Sequence, residues 1–230
     1  MSMNKTLEAY QKNFIRFLLQ EKALLFGEFK IKSGRLSPYF LNFGKLHSGS
    51  ALIELGETYA AAMKHHLPSL PSIVFGPSYK GIPLSVATTA ALYRTHNHNA
   101  DYCFDRKEAK SVGEGGMLVG KVPTAGESVA LVEDVITAGT TIKKIVPMLI
   151  DELKVNLLGV CIAVDRCEVG EGTISAKQEM EQLFGISIYP LVTIHDIFSY
   201  LSGPEAGVYA LGIEQQQAIT NYLTQYGAKS

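Results

Sequence analysis

The sequence predicts an α/β fold in which a central, mainly parallel twisted sheet is flanked by helices, with a small N-terminal hood. Short β-branched apolar runs alternate with longer amphipathic segments, an order typical of parallel strands whose connecting helices cover both faces of a sheet. The chain has 230 residues, enough for one α/β domain with a substantial core. We therefore expect a single domain over residues 1–230, with the hood at about residues 1–45.

The N-terminal part of the chain has the pattern of a helix followed by a hairpin. Apolar residues recur at the spacing of one helix face, which predicts a helix from about residue 5 to residue 23. Residues 24–31 and 37–42 predict two strands, joined by a polar turn at residues 32–35. Because this hairpin precedes the main alternation of strands and helices, we expect it to form the hood over the sheet.

The rest of the chain predicts the sheet and its covering helices. The predicted strands span residues 70–75, 102–106, 129–132, 156–165 and 186–193. The predicted helices span residues 50–66, about 81–94, a run that begins at 142, residues 174–184, and two segments near the C-terminus. Pro147 lies inside the helix that begins at residue 142 and should kink it.

Composition and charge exclude several classes of protein. The net charge is −1, so the chain as a whole is no electrostatic nucleic-acid binder, and any anion site must be a local cluster. The sequence shows no signal-peptide pattern and no apolar run long enough to span a membrane. The three cysteines are odd in number, which favours reduced thiols and a cytoplasmic protein, and the six histidines show no metal-ligand spacing.

The stretch Val129–Thr141 has the pattern of a sugar-phosphate site. An apolar strand ends in two carboxylates, Glu133 and Asp134, and a loop of small and hydroxylated residues follows. Residues Thr137–Thr141 can direct backbone N–H groups and hydroxyls at a phosphate, Gly139 allows close approach, and the next helix adds its positive dipole end. The carboxylates would repel a phosphate, so we expect them to bind vicinal sugar hydroxyls or to lie near a metal. An ordinary turn between a strand and a helix is the alternative.

Two further loops carry cations. Residues Gly76–Gly81 follow a strand and place Lys80 among turn residues, which suits a loop that binds an anion. A basic run at residues 106–110 precedes a glycine-rich segment at residues 111–116, which predicts a flap that closes over a polyanion and excludes water. A plain turn and a solvated hairpin loop are the respective alternatives.

The hairpin and one later strand indicate a flat, anionic ligand. Lys32 lies close in sequence to the aromatic strand that contains Phe40, so a ring could stack there while a cation meets a carboxylate. Arg166 follows an apolar strand and could bind a carboxylate bidentately. The alternatives are an amphipathic hairpin with aromatic residues in the core and a surface pair between Asp165 and Arg166.

Together these segments resemble the orotate phosphoribosyltransferases, which are type I phosphoribosyltransferases. The resemblance covers nearly the whole chain. Val129–Thr141 is similar to that family's motif for phosphoribosyl pyrophosphate (PRPP), Gly76–Gly81 to its pyrophosphate loop, residues 106–116 to its flap, Lys32–Phe40 to its orotate-binding strand, and Arg166 to its orotate clamp. This resemblance implies transfer of the 5-phosphoribosyl group from PRPP to orotate with Mg2+, giving orotidine 5′-monophosphate and pyrophosphate in de novo pyrimidine (UMP) biosynthesis.

The resemblance also implies the roles of individual residues. The expected catalytic residues are Glu133, Asp134 and Lys110. The expected PRPP-binding residues are Lys32, Tyr79, Lys80, Arg106, Lys107, Lys110, Glu133, Asp134, Val135, Ile136, Thr137, Ala138, Gly139, Thr140 and Thr141. The expected orotate-binding residues are Lys32, Phe40, Leu41, Thr137 and Arg166. No protein metal site is expected, because Mg2+ would be held mainly by pyrophosphate and ribose oxygens.

The expected assembly is a two-fold homodimer in which each flap closes over the partner's site, with no nucleic-acid or membrane partner. Two alternative functions remain open: a transferase for another base such as a purine, and a non-catalytic regulator that senses PRPP. The cations Lys32 and Arg166 argue against a purine, because purines carry no carboxylate. The nearly neutral chain argues against a nucleic-acid-binding regulator.

Three positions depart from the family pattern. Val112 stands where the family usually has histidine, Leu41 where it has a second aromatic residue, and Glu133 where an aspartate begins the acidic pair. Val112 cannot donate a hydrogen bond, so we expect a weakened contact with pyrophosphate. Lys110 and Arg106 are retained, and we therefore expect an active enzyme.

Overall fold

A computed structural model describes residues 6–31, 34–108, 116–170 and 172–228. The strands are β1 (Leu24–Lys30), β2 (Leu36–Leu41), β3 (Ile73–Phe75), β4 (Asp101–Asp105), β5 (Leu118–Gly120), β6 (Ser128–Val135), β7 (Asn156–Asp165) and β8 (Ile188–Thr193). The α-helices are α1 (Ala9–Gln20), α2 (Gly49–His66), α3 (Gly81–His96), α4 (Thr140–Pro147), α5 (Ala176–Phe184), α6 (Ile194–Ser202) and α7 (Ile213–Tyr226). Shorter helical turns span Phe43–Lys45, Met148–Glu152 and Pro204–Tyr209.

The main sheet has the strand order β5-β4-β3-β6-β7-β8. Its strands pair in parallel, except that β5 runs antiparallel to β4 at the edge. The β1–β2 hairpin is antiparallel and forms a separate two-stranded sheet. This arrangement confirms the predicted α/β class with a central, mainly parallel sheet.

Helices cover both faces of the sheet, as the alternation of side chains in β6 shows. Ala130 and Val132 belong to a core cluster with residues of α1, α2, α3, α6 and α7. Val129 and Leu131 belong to a second cluster with residues of α4 and α5. Since successive side chains of a strand point to opposite faces, β6 is buried on both sides, as its continuous apolar run predicted.

Several boundaries differ from the sequence-based prediction. Helix α1 is shorter at both ends than the predicted residues 5–23. Strand β3 has three residues, 73–75, where six were predicted. Pro71 has no N–H to donate to a ladder, and strands therefore rarely continue through proline.

Two other features were not fully anticipated. The edge strand β5 was not predicted, because three residues are too short to show a pattern of alternation. The α-helical part of α4 ends at Pro147, and a π-helical turn at Met148–Glu152 continues it. Proline interrupts the helical hydrogen-bond ladder, which accounts for the change of helix type after Pro147, where a kink was predicted.

The parallel strands place the predicted loops at one edge. The carboxyl ends of β3, β4, β6 and β7 lie together along the sheet. Residues 76–80 follow β3, residues 106–108 follow β4, residues 136–139 follow β6, and residues 166–170 follow β7. Ligands of open α/β sheets bind at this edge.

Among the described residues, no helix combines the length and the apolar character needed to cross a bilayer.

Candidate active site

The two carboxylates of the central stretch lie buried at the carboxyl end of β6. Asp134 Oδ1 accepts from the Val135 N–H at 2.8 Å, and Asp134 Oδ2 accepts from Lys80 Nζ at 2.6 Å. Glu133 Oε1 accepts from the Asp134 N–H at 3.1 Å, while the Tyr59 hydroxyl donates to the Glu133 carbonyl at 2.7 Å. The acidic pair is therefore held in place by β6 itself, by α2 and by the loop that follows β3.

The ionisation of Glu133 is tuned by its surroundings. Burial, followed by the adjacent Asp134 carboxylate, raises the pKa of Glu133 to about 7. Glu133 is therefore divided between its protonated and ionised forms near neutral pH. A positive charge that develops beside it would favour the ionised form.

The loop after β6 encloses a small concave site at the N-terminus of α4. A cavity of about 30 Å³ is lined by Glu133, Val135, Ile136, Thr137, Gly139, Thr140, Thr141 and Ile142. Gly139 is the N-cap of α4 with φ of 67°, and a Cβ there would lie 2.6 Å from the sulfur of Met180. Thr137, Ala138 and Thr140 are exposed at the rim. The site thus combines a helix N-terminus, hydroxyls and a position that only glycine fits, as expected for a phosphate.

The loop Gly76–Gly81 closes tightly on itself. A Cβ on Gly76 would lie 1.9 Å from the Gly81 carbonyl oxygen, and a Cβ on Gly81 would lie 2.6 Å from the Gly76 carbonyl carbon. Both positions therefore require glycine. The Ser78–Tyr79 peptide bond is cis. Lys80 reaches from this loop to Asp134, so the loop predicted to bind an anion is in direct contact with the acidic pair.

Asp105 joins this loop to α4, a role that sequence reasoning missed. Its buried carboxylate accepts from the Ser78 N–H at 2.7 Å and from Lys144 Nζ at 3.0 Å. The local signal was an acidic residue at the end of a strand, directly before the basic run. That signal does not reveal which distant groups the carboxylate will bind.

Two cations of the basic run, Arg106 and Lys107, follow directly after β4 in the described part of the chain. Lys107 Nζ lies 4.4 Å from the centre of the Tyr79 ring. Arg106 Nη1 and Ser78 Oγ are buried without a hydrogen-bond partner in the part of the chain that the structure describes. Unpaired buried donors suit an anionic ligand. Lys110 and Val112 lie outside the described residues, as does Lys32 in the hairpin.

Arg166 pairs with Glu168, not with Asp165. Its Nη2 lies 2.7 Å and its Nε 3.0 Å from Glu168 Oε1. The guanidinium carbon lies 4.3 Å from the centre of the Tyr39 ring, and Nη2 donates to Ser37 Oγ at 3.2 Å. Arg166 is thus held between the end of β7 and strand β2, with aromatic and carboxylate partners that the sequence did not reveal.

The ring of Phe40 is not brought together with Arg166. Phe40 stacks on Phe29 with ring centroids 5.5 Å apart. Tyr39, its neighbour in β2, lies under Arg166, and successive side chains of a strand point to opposite faces. Leu41 shares the face of Tyr39 and packs against the core. On this face the structure places Tyr39 and Ser37, which sequence reasoning did not select, next to Arg166.

The chain is similar to known orotate phosphoribosyltransferases over nearly its full length. It is 46% identical to the enzyme of Pseudomonas fluorescens (strain Pf0-1) over 197 residues, which cover 85% of this chain and 90% of that one. It is 42% identical to that of Clostridium beijerinckii over 224 residues, 97% of this chain and all of the other. The crystal structure of the Francisella tularensis enzyme superposes with a TM-score of 0.81 at 34% identity, covering 94% of this chain and 100% of that one. No protein-family model matches the chain.

Proposed function

The chain belongs to the orotate phosphoribosyltransferase family, and from this premise we propose how its residues perform the reaction. The enzyme transfers the 5-phosphoribosyl group from PRPP to orotate in pyrimidine biosynthesis, giving orotidine 5′-monophosphate and pyrophosphate. The observation that carries the proposed site is the contact of 2.6 Å between Lys80 and Asp134. It joins the pyrophosphate loop, Gly76–Gly81, to the acidic pair that precedes the phosphate loop, Thr137–Thr141.

PRPP binds along the carboxyl edge of the sheet. The phosphate loop and the N-terminus of α4 hold the 5′-phosphate, and Glu133 and Asp134 accept hydrogen bonds from the ribose hydroxyls. The residues that surround the pyrophosphate are Tyr79, Lys80, Arg106, Lys107 and Lys110. Arg106 Nη1 is buried and has no hydrogen-bond partner among the described residues, which supports this assignment, since a phosphate oxygen would satisfy it.

Catalysis rests on positioning and on charge. As a ring nitrogen of orotate forms its bond to the ribosyl carbon and releases its proton to solvent, the bond to pyrophosphate breaks and its electron pair leaves with the pyrophosphate. The ribosyl carbon becomes cation-like, and the carboxylates of Glu133 and Asp134 stabilise that charge. Pyrophosphate competes for the ammonium of Lys80, which frees the Asp134 carboxylate for the ribose hydroxyls.

Mg2+ is the proposed cofactor. Among the described residues, no group of three or more His, Cys, Asp or Glu side chains is arranged to hold a metal. The donors beside the site, Glu133 and Asp134, are oxygens and fit a hard cation that takes most of its ligands from PRPP and water. The bound ion would neutralise charge on the pyrophosphate oxygens.

The carboxylate of orotate binds Arg166, with Lys32, Phe40, Leu41 and Thr137 as the other proposed contacts. The guanidinium of Arg166 is held by Glu168 just after the carboxyl end of β7, and the neighbouring strand β6 carries the acidic pair at its own carboxyl end. This geometry supports the assignment, because Arg166 follows a strand end at the same sheet edge as the acidic pair that we propose for the ribose.

A two-fold homodimer with shared sites is the proposed assembly. One face of α3 is exposed at Pro83, Val86, Ala90 and Tyr93, which recur at a spacing of three or four residues. Tyr102 of the adjacent β4 is exposed as well. Such an apolar stripe suits a self-complementary interface. Because β4 leads directly into residues 106–116, contact at this face supports a flap that reaches the partner's site.

We further propose that the protein acts in the cytoplasm as a single domain over residues 1–230, with a hood at residues 1–45. All three cysteines are free, which supports a reducing compartment. The net charge of −1 supports small-molecule substrates in place of nucleic acid, and no membrane partner is proposed.

Turnover of PRPP with orotate, uracil or hypoxanthine tests the function. We expect Mg2+-dependent formation of orotidine 5′-monophosphate and pyrophosphate with orotate alone. The variant Asp134→Asn, purified in parallel, controls for an enzyme carried over from the expression host. Turnover with hypoxanthine in place of orotate would contradict the assigned base, and PRPP binding without turnover of any base would indicate a regulator.

A further inference from the structure

Glu168 is the centre of a network that joins three parts of the chain. Its Oε1 accepts from the Tyr39 hydroxyl of β2 at 2.5 Å and lies 2.7 Å from Nη2 of Arg166. Its Oε2 accepts from the Tyr222 hydroxyl of α7 at 3.0 Å and lies 3.8 Å from Nη1 of Arg35. One carboxylate therefore contacts strand β2, the segment after β7, and the C-terminal helix.

The backbone around Glu168 is fixed to the end of α7. The Val169 N–H donates to the Tyr226 carbonyl at 2.9 Å, and the Ala228 N–H donates to the Cys167 carbonyl at 2.7 Å. These bonds flank Glu168 on both sides. The position of its carboxylate is therefore set by the packing of α7 against the segment after β7.

Arg166 gains a defined orientation from this network. Glu168 occupies the edge of the guanidinium formed by Nε and Nη2, and the Tyr39 ring lies against its face. Arginine has five N–H donors, so others remain for a ligand. A long side chain that is already held loses less conformational entropy when it binds.

The charges of the network match a ligand with one carboxylate. Arg35 and Arg166 are cationic and Glu168 is anionic, which leaves a net charge of one positive unit. Without Glu168, two guanidinium groups would lie close together and repel each other. The carboxylate therefore also keeps the two cations in one compact cluster.

We infer that Glu168 is a positioning residue for the reaction: it holds Arg166 for the carboxylate of orotate and makes this recognition depend on α7. The inference rests on the proposed role of Arg166 as the orotate clamp. It differs from a competitor role, in which Glu168 would occupy Arg166 and weaken the binding of orotate.

Two nucleotides that differ by one carboxylate give the test. Orotidine 5′-monophosphate carries the carboxylate and uridine 5′-monophosphate lacks it, so the ratio of their dissociation constants measures carboxylate recognition. In Glu168→Gln we expect this preference to fall about tenfold, because the neutral amide keeps only one acceptor oxygen and loses the charge that strengthens the bonds to Arg166. Uridine 5′-monophosphate should bind as it does to the unaltered protein.

Tyr222→Phe tests the link to α7 with a smaller change. It removes only the hydroxyl that donates to Oε2, and we expect the preference to fall about threefold. Tyr226→Phe is the matched control, one turn further along the same helix. Within the described part of the chain its hydroxyl makes no hydrogen bond, so the preference should stay unchanged.

The possible results separate the inference from the function on which it rests. An equal loss for both nucleotides in Glu168→Gln, an unchanged preference, or an increased one would overturn the positioning role. Arg166→Lys should lower the preference as well; if it does not, the proposed role of Arg166 fails. If Arg166→Lys lowers the preference and Glu168→Gln does not, only the present inference fails. If Glu168→Gln does not fold, the preference measured in Tyr222→Phe tests the inference: a decrease supports the positioning role, and an unchanged or increased preference overturns it.

Discussion

The two halves of the proposed site are built by different means. The phosphate half comprises the pyrophosphate loop, the phosphate loop and the acidic pair, and its shape comes from short turns at strand ends. The base half comprises the proposed clamp Arg166 and the residues that surround it, Tyr39, Glu168 and Tyr222, whose side chains converge from distant parts of the chain. Local turn chemistry therefore fixes the first half, whereas the packing of a hairpin and a C-terminal helix fixes the second.

The ion pairs of the two halves differ in the same way. In the phosphate half, the Lys80 side chain is 62% exposed and pairs with Asp134, which is 8% exposed. In the base half, Arg166 and Glu168 are 14% and 10% exposed. A solvated lysine can move from a carboxylate to an incoming phosphate at little cost, while a buried arginine must keep its partner. The phosphate half is thus suited to exchange partners, and the base half to hold a fixed shape.

The largest expected effect lies in the phosphate half. Asp134→Asn keeps the shape of the side chain but removes a charge beside the developing cation. We expect kcat to fall about 100-fold or more, with smaller changes in both KM values. Steady-state kinetics measures this, and Asp151→Asn, which alters an exposed carboxylate outside the site, is the control. An unchanged kcat would mean that the acidic pair is structural.

Subunit exchange tests whether the two halves of one active site come from the same chain. Lys110→Ala and Arg166→Ala should each be nearly inactive alone. If Lys110 acts in the partner's site and Arg166 in its own, one site of each mixed dimer carries both lesions and the other carries none. Random pairing makes half of the dimers mixed, so about a quarter of all sites should regain activity. Demonstrated exchange without recovery would refute shared sites for Lys110.

A smaller effect is expected from Gly76→Ala. The added Cβ would meet the Gly81 carbonyl oxygen, so the pyrophosphate loop must shift. We expect PRPP to bind about tenfold or more weakly, because overpacking of this kind costs about 1–3 kcal/mol. Binding of orotidine 5′-monophosphate, which has no pyrophosphate, should change little. Gly49→Ala is the control, since no atom of the described residues lies within 4 Å of the added Cβ. Equal losses of both ligands in Gly76→Ala would indicate general damage.

The pH profile gives a graded test of Glu133. Its pKa is raised to about 7, so kcat/KM for PRPP should rise with pH up to that value and then level off. In Glu133→Gln we expect kcat/KM to level off at a lower value and to lose the rise with pH that Glu133 causes. The folded state binds more protons than the unfolded chain between pH 4.5 and about 7, so the free energy of unfolding should decrease as pH rises through this window. If kcat/KM of Glu133→Gln still rises with pH in the same range, the titrating group is another one, such as a substrate phosphate.

The phosphate half was largely predictable from the sequence, because its signals are local. The acidic pair, Gly139 and the two glycines of the pyrophosphate loop act within a few residues of one another, and the parallel sheet brings their loops to one edge. The structural role of Asp105 was not predicted, because its hydrogen-bond partner Ser78 lies 27 positions away in the sequence.

The base half was predictable only in part. Arg166 stood out as a cation at a strand end, but its partner Glu168 binds Tyr39 across 129 positions and Tyr222 across 54. No local pattern encodes such contacts. The same limit applies to the fold, where the α/β alternation was clear and the three-residue edge strand β5 was not.

The most direct test of the two-part site is a pair of dissociation constants measured by calorimetry on Arg166→Ala. The variant removes the proposed carboxylate clamp and leaves both loops of the phosphate half unaltered. We predict that orotate binding weakens by about 2 kcal/mol or more, while the affinity for PRPP stays within about twofold of its original value. Loss of PRPP affinity with orotate binding intact would contradict the assignment of Arg166 and the division of the site into two halves.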